Sequence, residues 1–269
     1  MILFPNCKIN IGLNIIRKRP DGYHDLESVF YPLPLKDVIE IIPAGSFQFN
    51  KSGLDIPGDD ADNICIKAYQ SLKKSFPGLP AVKMYLHKHI PTGSGLGGGS
   101  ADGAFMLLLL NDTFGLNLST NQLINHASAL GSDCPFFIVN KPAFVSSRGE
   151  SIKNFSLDLS AYSFALIHPG IHINTAWAFS KIKPGVPAKP IAEIVHGSLK
   201  NWRDHLVNDF EIPVLNEFPV LNDIKKELYK SGALYASMTG SGSSFYGIFE
   251  KNNIPAFSFD QNFRIDILK

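Results

Sequence analysis

A glycine-rich segment, residues 91–101, is the part of the chain best suited to chemistry. It reads Pro-Thr-Gly-Ser-Gly-Leu-Gly-Gly-Gly-Ser-Ala and lies between a predicted strand and a predicted, strongly apolar helix. Glycine permits positive φ and lets a ligand approach the backbone amides closely. A helix that begins directly after such a loop turns its N–H groups and the positive end of its dipole toward it, so we expect an anion such as phosphate. A ligand-free turn is the alternative, but a turn does not need so many glycines.

The loop alone leaves the identity of the anion open. It lacks the Gly-Lys-Ser/Thr triplet of a P-loop, yet Gly93, Gly95 and Gly98 satisfy the G-x-G-x-x-G spacing of dinucleotide-binding folds. Those folds place the motif near the first strand and an acidic residue about 20 positions later. Here residues 1–90 precede the loop, and residues 116–121 contain no carboxylate. The sequence therefore gives a dinucleotide site little support.

Two segments near the N-terminus carry further polar groups. Lys8 and Asn10 share one face of a predicted strand. Because lysine is almost never fully buried without a partner, Lys8 either points to solvent or meets an anion. Farther on, an Asp-Gly pair at residues 21–22 predicts a tight turn that directs Tyr23 and His24 outward.

Two later segments add a carboxylate and a second loop of small residues. Asp133 stands where a predicted helix ends and a strand is predicted to begin, so it is either a capping or turn aspartate or a catalytic group. Residues 238–245 read Met-Thr-Gly-Ser-Gly-Ser-Ser-Phe and lead into a predicted strand. This second loop could close over a phosphate.

The spacing of apolar residues predicts the elements that position these groups. Alternation, or a short apolar run between turn signals, predicts strands at residues 9–15, 38–42, 82–90, 135–140, 143–146, 163–168 and 245–249. Helical spacing predicts helices at residues 63–75, 101–110, 119–130 and 220–231, the third begun by a capping box of Ser119 and Gln122. In the strand at 82–90 we assign positions 82, 84 and 86 to the apolar face, and Lys88 to the polar face with Lys83 and His87.

The composition indicates a globular protein that acts on small molecules. The chain has 269 residues, 45% of them apolar, and a formal net charge of +1, which predicts no nucleic-acid partner. The longest apolar run, residues 104–110, is far shorter than the roughly 20 residues of a membrane span. No secretory signal is visible, so we expect a cytoplasmic protein without membrane contact.

Cysteine and histidine spacing argues against a metal site or a disulfide framework. Cys7, Cys65 and Cys134 are widely spaced and form no CxxC pair, so we expect buried thiols. His87 and His89 share a strand face but have no third ligand at recognisable spacing, which predicts an exposed face rather than a metal site.

Taken together, the segments resemble the GHMP small-molecule kinases. The resemblance rests on Lys-Ile-Asn at 8–10, Asp-Gly-Tyr-His at 21–24, the loop at 91–101, Gly-Ser-Asp-Cys-Pro at 131–135 and residues 238–249, in the family's order over essentially the whole chain. The departures, at Thr92, Ser94, Ala101 and Cys134, remove no group that the chemistry needs. The resemblance implies a two-domain α+β GHMP kinase fold. Residues 1–155 would form an N-terminal ribosomal-protein-S5-domain-2-like ATP-binding domain, and residues 156–269 a ferredoxin-like C-terminal domain.

The resemblance also implies a reaction. ATP, with Mg²⁺, would phosphorylate the C2 hydroxyl of a cytidine diphosphate-linked methylerythritol, and the protein would be a monomer or a weak homodimer. Asp133 would accept the hydroxyl proton, while Lys8 would keep Asp133 ionised and stabilise the developing charge. Ser100 is a candidate metal ligand. The residues implied to bind ATP are Pro91, Thr92, Gly93, Ser94, Gly95, Leu96, Gly97, Gly98, Gly99, Ser100 and Ala101.

The cytidine-linked substrate would be bound by a second set of residues. The set comprises Asn10, Tyr23, His24, Phe179, Thr239 and Gly240. Trp177 could stack on the cytosine in place of Phe179, because residues 174–180 match the family loosely.

Two other functions stay open at this point. A related kinase for homoserine, mevalonate or a sugar would share the glycine loop but not residues 21–24, and a nucleotide-binding module without catalysis would not need both Lys8 and Asp133.

Overall fold

The computed structural model describes residues 1–254, 256–259 and 262–269. The strands are β1 (Ile2–Leu3), β2 (Asn6–Lys18), β3 (His24–Lys36), β4 (Val38–Pro43), β5 (Gln48–Gly53), β6 (Val82–Lys88), β7 (Ala143–Ser147), β8 (Ser151–Asn154), β9 (Tyr162–His168), β10 (Tyr235–Met238), β11 (Phe245–Glu250) and β12 (Arg264–Leu268). The helices are α1 (Ile64–Ser75), α2 (Gly98–Phe114), α3 (Thr120–Leu130), α4 (Cys134–Val139), α5 (Thr175–Ser180), α6 (Ile191–His196), α7 (Trp202–His205), α8 (Glu211–Glu217) and α9 (Asn222–Lys230). Short 3-10 helices lie at Asp60–Asp62, Leu199–Asn201 and Pro219–Leu221. The α+β class is confirmed.

The chain forms two compact units that are interleaved along the sequence. The first comprises Met1–Cys7, Pro34–Thr92 and Gly97–Lys141, and the second comprises Lys8–Leu33, Gly93–Leu96 and Pro142–Lys269. Residues 93–96 of the glycine loop therefore belong to the second unit, and residues 91–92 and 97–101 belong to the first. The predicted domain division between residues 155 and 156 stays a prediction.

The first unit joins a sheet to a group of four helices. Its strands run in the order β1-β4-β6-β5, with β5 parallel to β6 and the other pairs antiparallel. Helix α2 is contacted by α1, α3 and α4 and is apolar around most of its circumference, as expected for a helix covered on several sides. The predicted capping box is present at the start of α3, where Ser119 and Gln122 bond reciprocally.

The second unit contains two antiparallel sheets. One has the order β2-β3-β7-β8, in which β2 and β3 extend past the unit boundaries, and the other has the order β10-β11-β9-β12. Its apolar core includes Leu13 and Ile15 from β2, Ala165 and Ile167 from β9, and Leu228 from α9. Strand β2 is buried from residue 6 to residue 15, so the polar residues near its start are held inside the protein.

The prediction of a strand at residues 135–140 is wrong. Residues 134–139 form α4, which begins after Asp133 and has Pro135 in its first turn, where proline is well tolerated. The segment is a short apolar run whose first four residues are buried and whose last two are partly buried, and such a run does not distinguish a strand from a buried helix by periodicity. Asp133 accordingly stands between two helices rather than between a helix and a strand.

Candidate active site

The glycine loop has the backbone conformation that its composition predicted. Gly93, Gly95 and Gly97 all have positive φ, at 67°, 81° and 71°, in the region that disfavours residues with a Cβ. Gly97 occupies the N-cap position of α2, and no side chain caps that helix. The first backbone N–H groups of a helix of this length form an anion site when side chains leave them available.

Gly95 must also be glycine because another backbone segment lies against it. A Cβ placed there would lie 2.1 Å from the carbonyl oxygen of Thr239. The Thr239 hydroxyl donates to the carbonyl of Gly95 at 3.1 Å, and the Ser244 N–H donates to the carbonyl of Ser94 at 3.3 Å. The two small-residue loops that the sequence singled out therefore contact each other through Thr239 and Gly240, within the second unit.

Lys8 is buried, so the alternative that its side chain points to solvent is wrong. Only 3% of the residue is exposed. Its ammonium donates to Asn10 Oδ1 at 2.6 Å and lies 4.2 Å from the centre of the Phe30 ring. Its backbone N–H donates to the carbonyl of Leu96 in the glycine loop at 2.9 Å. The structure thus brings Lys8 and Asn10 together and joins their strand to the loop.

Asp133 is half-buried at the N-cap position of α4, but its carboxylate makes no capping bond to that helix. A purely capping role for Asp133 therefore finds no support. The next residue, Cys134, is buried, and its thiol is hydrogen-bonded to the Ser100 hydroxyl; burial is the main reason that the pKa of Cys134 rises to about 12. Asp133 belongs to the first unit and Lys8 to the second, and their pairing stays a prediction.

The aromatic groups expected at the cytidine end lie in the second unit. His24 stacks on Phe179 with ring centres 4.9 Å apart and planes 16° from parallel. Tyr23 is exposed, as predicted, and the Arg148 guanidinium lies 4.9 Å from its ring centre. Trp177 instead packs edge-on against Phe218. Burial, followed by the charge of Lys18, lowers the pKa of His24.

A buried ionic cluster next to the loop was missed by the sequence analysis. The Lys88 ammonium bonds to Asp37 and, at 2.7 Å, to Asp102 near the start of α2, and each residue of this trio is at most 3% exposed. Asp37 also accepts the N–H groups of His89 and Ile90, at 2.5 and 2.7 Å. The cluster therefore fixes both flanks of the glycine loop.

The charged groups in this cluster shift one another's pKa values. Burial lowers the pKa of Lys88, but Asp102 and Asp37 outweigh it, and the net shift is upward. Burial raises the pKa of Asp102 well above that of an ordinary carboxyl.

Our assignment of Lys88 to the polar face of its strand is wrong. Position 88 continues the buried series 82, 84 and 86, and this alternation was the signal that could have found it.

A cavity of about 150 Å³ adjoins the loop within the first unit. Its walls include Thr92 and Gly99 from the loop region, Asn63 and Ile64 at the start of α1, and Lys88. The cavity therefore lies next to residues 92 and 99 of the predicted phosphate site and is lined by residues of the first unit.

The predicted burial of the thiols and the predicted exposure of the two histidines are confirmed. Cys7, Cys65 and Cys134 are buried free thiols, and His87 and His89 are exposed. Within residues 1–254, 256–259 and 262–269, no cluster of three His, Cys, Asp or Glu residues is arranged to hold a metal ion. Over the same ranges, no helix has the length and apolar character needed to cross a membrane.

Comparison with known proteins gives matches over nearly the whole chain. The family model described as GHMP kinases N terminal domain matches residues 63–141, and the one described as GHMP kinases C terminal matches residues 190–257. A 4-diphosphocytidyl-2-C-methyl-D-erythritol kinase of Bacteroides fragilis is 48% identical over 268 residues, covering 98% of this chain and 97% of that protein. The protein of the same name from Cytophaga hutchinsonii is 47% identical over 93% of this chain and 92% of its own length.

Solved structures give the same result for the fold. The crystal structure of a 4-(cytidine 5'-diphospho)-2C-methyl-D-erythritol kinase is similar with a TM-score of 0.80 and 28% identity, over 92% of this chain and 90% of that one. A homoserine kinase from Cytophaga hutchinsonii has a TM-score of 0.65 at 15% identity, over 98% of this chain and 94% of its own, and this likeness concerns the fold alone.

Proposed function

The chain belongs to the 4-diphosphocytidyl-2-C-methyl-D-erythritol kinases of the GHMP kinase family, and we propose how its own residues carry out that activity. The predicted two-domain α+β GHMP kinase fold is confirmed. The chain is an ATP-dependent kinase of the non-mevalonate isoprenoid pathway that phosphorylates the C2 hydroxyl of its substrate and releases ADP. We assign each step of this reaction to individual residues of the chain.

The glycine loop binds the phosphates of ATP. The observation that carries this assignment is the set of left-handed glycines followed directly by the uncapped start of α2. The base of ATP occupies the adjoining cavity of about 150 Å³, since Thr92 and Gly99 belong to both sites. The Ser100 hydroxyl, in the first turn of α2, would supply one oxygen ligand to Mg²⁺, which neutralises phosphate charge when bound.

Phosphoryl transfer requires positioning and charge stabilisation more than covalent help. The C2 oxygen bonds to the γ-phosphorus as the bond from that phosphorus to the ADP oxygen breaks. Asp133 accepts the hydroxyl proton, and Lys8 stabilises the negative charge on the transferred group. Because a tertiary hydroxyl is far less acidic than a carboxylic acid, the proton moves late in the transfer.

The cytidine end is bound by the aromatic groups of the second unit. We assign stacking on the base to Phe179, supported by its contact with His24 and by the engagement of Trp177 with Phe218. Tyr23 offers an exposed ring beside them. Thr239 and Gly240 lie against Gly95 and therefore serve the end of the substrate that meets ATP.

Phosphorus NMR of a reaction containing purified protein, ATP and Mg²⁺ tests the function directly. With 4-diphosphocytidyl-2-C-methyl-D-erythritol as acceptor we expect a new phosphomonoester signal together with ADP. Homoserine and mevalonate, offered in parallel, should give none. A product with either of those alcohols would instead indicate another GHMP activity, and ATP binding without any product would indicate a non-catalytic module.

A further inference from the structure

Ser28, on β3, is a fully buried polar residue to which the reaction above assigns no role. Its hydroxyl donates to the carbonyl of Gly12 at 2.6 Å and accepts from Asn10 Nδ2 at 3.0 Å. Gly12 has a φ of 69°, a left-handed conformation at a point where β2 is otherwise extended. The serine therefore joins β3 to the polar start of β2.

The single proton of this hydroxyl favours one orientation of the Asn10 amide. A serine hydroxyl has one proton to donate, and here that proton is directed to Gly12. Toward Asn10 the oxygen can then only accept, so the amide must present its NH₂ group to Ser28. The carbonyl Oδ1 of the same amide is left facing the Lys8 ammonium, which bonds to it at 2.6 Å. A flipped amide would place an NH₂ group against an ammonium, with two donors and no acceptor.

The orientation of Asn10 matters because the lysine side chain is long and flexible. Lys8 has four rotatable side-chain bonds, and a fixed acceptor helps to restrict its ammonium to one place. The Phe30 ring lies 4.2 Å from the ammonium and adds a second, non-directional contact. Thr239 holds Asn10 as well. Its hydroxyl accepts the backbone N–H of Asn10 at 3.1 Å, and its one proton has two acceptors in reach, the Gly95 carbonyl at 3.1 Å and Asn10 Oδ1 at 3.3 Å. A chain of hydrogen bonds through Asn10 and Thr239 thus links the ammonium to Gly95 in the glycine loop, and all of these residues belong to the second unit.

We propose that Ser28 is a positioning residue of the kinase, which orients the Asn10 amide so that its oxygen holds the Lys8 ammonium in the place required for phosphoryl transfer. This inference rests on the proposed role of Lys8. It assigns to Ser28 no contact with substrate or ATP.

Three substitutions of Ser28 separate a positioning role from general damage to the fold. Ser28→Ala removes the acceptor for the amide, and kcat should fall about 10- to 100-fold, the effect of a small misplacement in an active site. The KM and the calorimetric Kd for ATP should change less than about twofold, because Ser28 touches no part of the proposed ATP site. Ser28→Thr keeps the hydroxyl and should recover most of the turnover. Ser28→Cys keeps the size of the site but accepts poorly, so its kcat should fall between the two.

Ser163→Ala is the matched control. Ser163 is also fully buried in a strand of the second unit, and its hydroxyl accepts the N–H of Asn252 at 3.1 Å. Its loss should lower thermal stability about as much as Ser28→Ala does, with kcat unchanged. An equal fall in kcat for both alanine variants, or a threonine variant as slow as the alanine variant, would overturn the inference.

A double-mutant cycle with Lys8→Ala, followed under single-turnover conditions, identifies the residue through which Ser28 acts. In the Lys8→Ala background, Ser28→Ala should slow transfer less than about twofold, because there is no ammonium left to position. If Ser28→Ala slows transfer as much in the Lys8→Ala background as in the parent, the positioning role is refuted while the catalytic role of Lys8 stands. If Lys8→Ala alone transfers at the normal rate, the proposed role of Lys8 fails, and the inference fails with it.

Discussion

Gly95→Ala tests whether the geometry of the glycine loop sets the stability of the second unit and the affinity for ATP. Gly95 has a φ of 81°, and an added Cβ would lie 2.1 Å from the Thr239 carbonyl oxygen and 3.0 Å from its carbonyl carbon. Both neighbouring atoms are backbone, so neither can move aside by a change of rotamer.

The magnitude follows from two costs. A non-glycine residue held at this φ costs about 1 to 3 kcal/mol. The Thr239 carbonyl would in addition have to retreat by about 1 Å in a close-packed site, and overpacking of that kind costs about 1 to 3 kcal/mol. Allowing for partial relaxation of the loop, we expect a loss of about 2 to 4 kcal/mol, which corresponds to roughly 5 to 10 °C in Tm for a chain of this size.

Thermal unfolding and isothermal titration with ATP measure the two effects on the same samples. Gly99→Ala is the matched control for stability, because Gly99 lies in the first turn of α2 and an added Cβ would have no atom within 4 Å. Alanine is the better helix former, so this variant should be as stable as the parent or up to about 1 kcal/mol more stable. We expect Gly95→Ala to bind ATP more weakly as well. A Gly95→Ala protein with the parent's Tm and ATP affinity would refute the reasoning.

Four further predictions follow from the site. Asp133→Asn should lower kcat by roughly 10²- to 10⁴-fold with little change in the Kd for ATP, since a general base acts on the chemical step; steady-state kinetics with normal turnover would contradict this. Lys88→Met should destabilise the protein by about 3 to 5 kcal/mol in urea unfolding, because Asp37 and Asp102 lose their buried cation, whereas the exposed Lys226→Met should change it by less than about 1 kcal/mol. The thiols should not react with a disulfide reagent at pH 8 until the protein is unfolded, since all are buried and the pKa of Cys134 is about 12; rapid native labelling would disprove their burial. Phe179→Ala should raise the KM for the cytidyl substrate about 10- to 100-fold, and Trp177→Ala much less, whereas the reverse order would transfer the stacking role to Trp177.

The local sequence was sufficient to identify the glycine loop, the long helix after it and six of the twelve strands in the part of the chain that the structure describes. In these segments the signal is physical and short-range. Glycine's permitted φ values, the alternation along a half-buried strand and the capping box at Ser119 each act over a few residues, and tertiary packing has no reason to override them. For the same reason the exposed turn at Tyr23 was predicted correctly.

Tertiary structure decided the features of the fold and the site that depend on residues distant from one another in the chain. Residues 134–139 form a helix because buried surroundings accept a short apolar run in either conformation, and only packing selects one. Lys88 is inside because Asp37, 51 residues earlier in the chain, and Asp102, 14 residues later, offset the cost of burying its charge. His24 meets Phe179, and Thr239 meets Gly95, only once the chain has folded. The sequence by itself therefore determined the backbone conformations and residue types of the site, while the pairing of its charges and rings was set by long-range contacts that local periodicity does not encode.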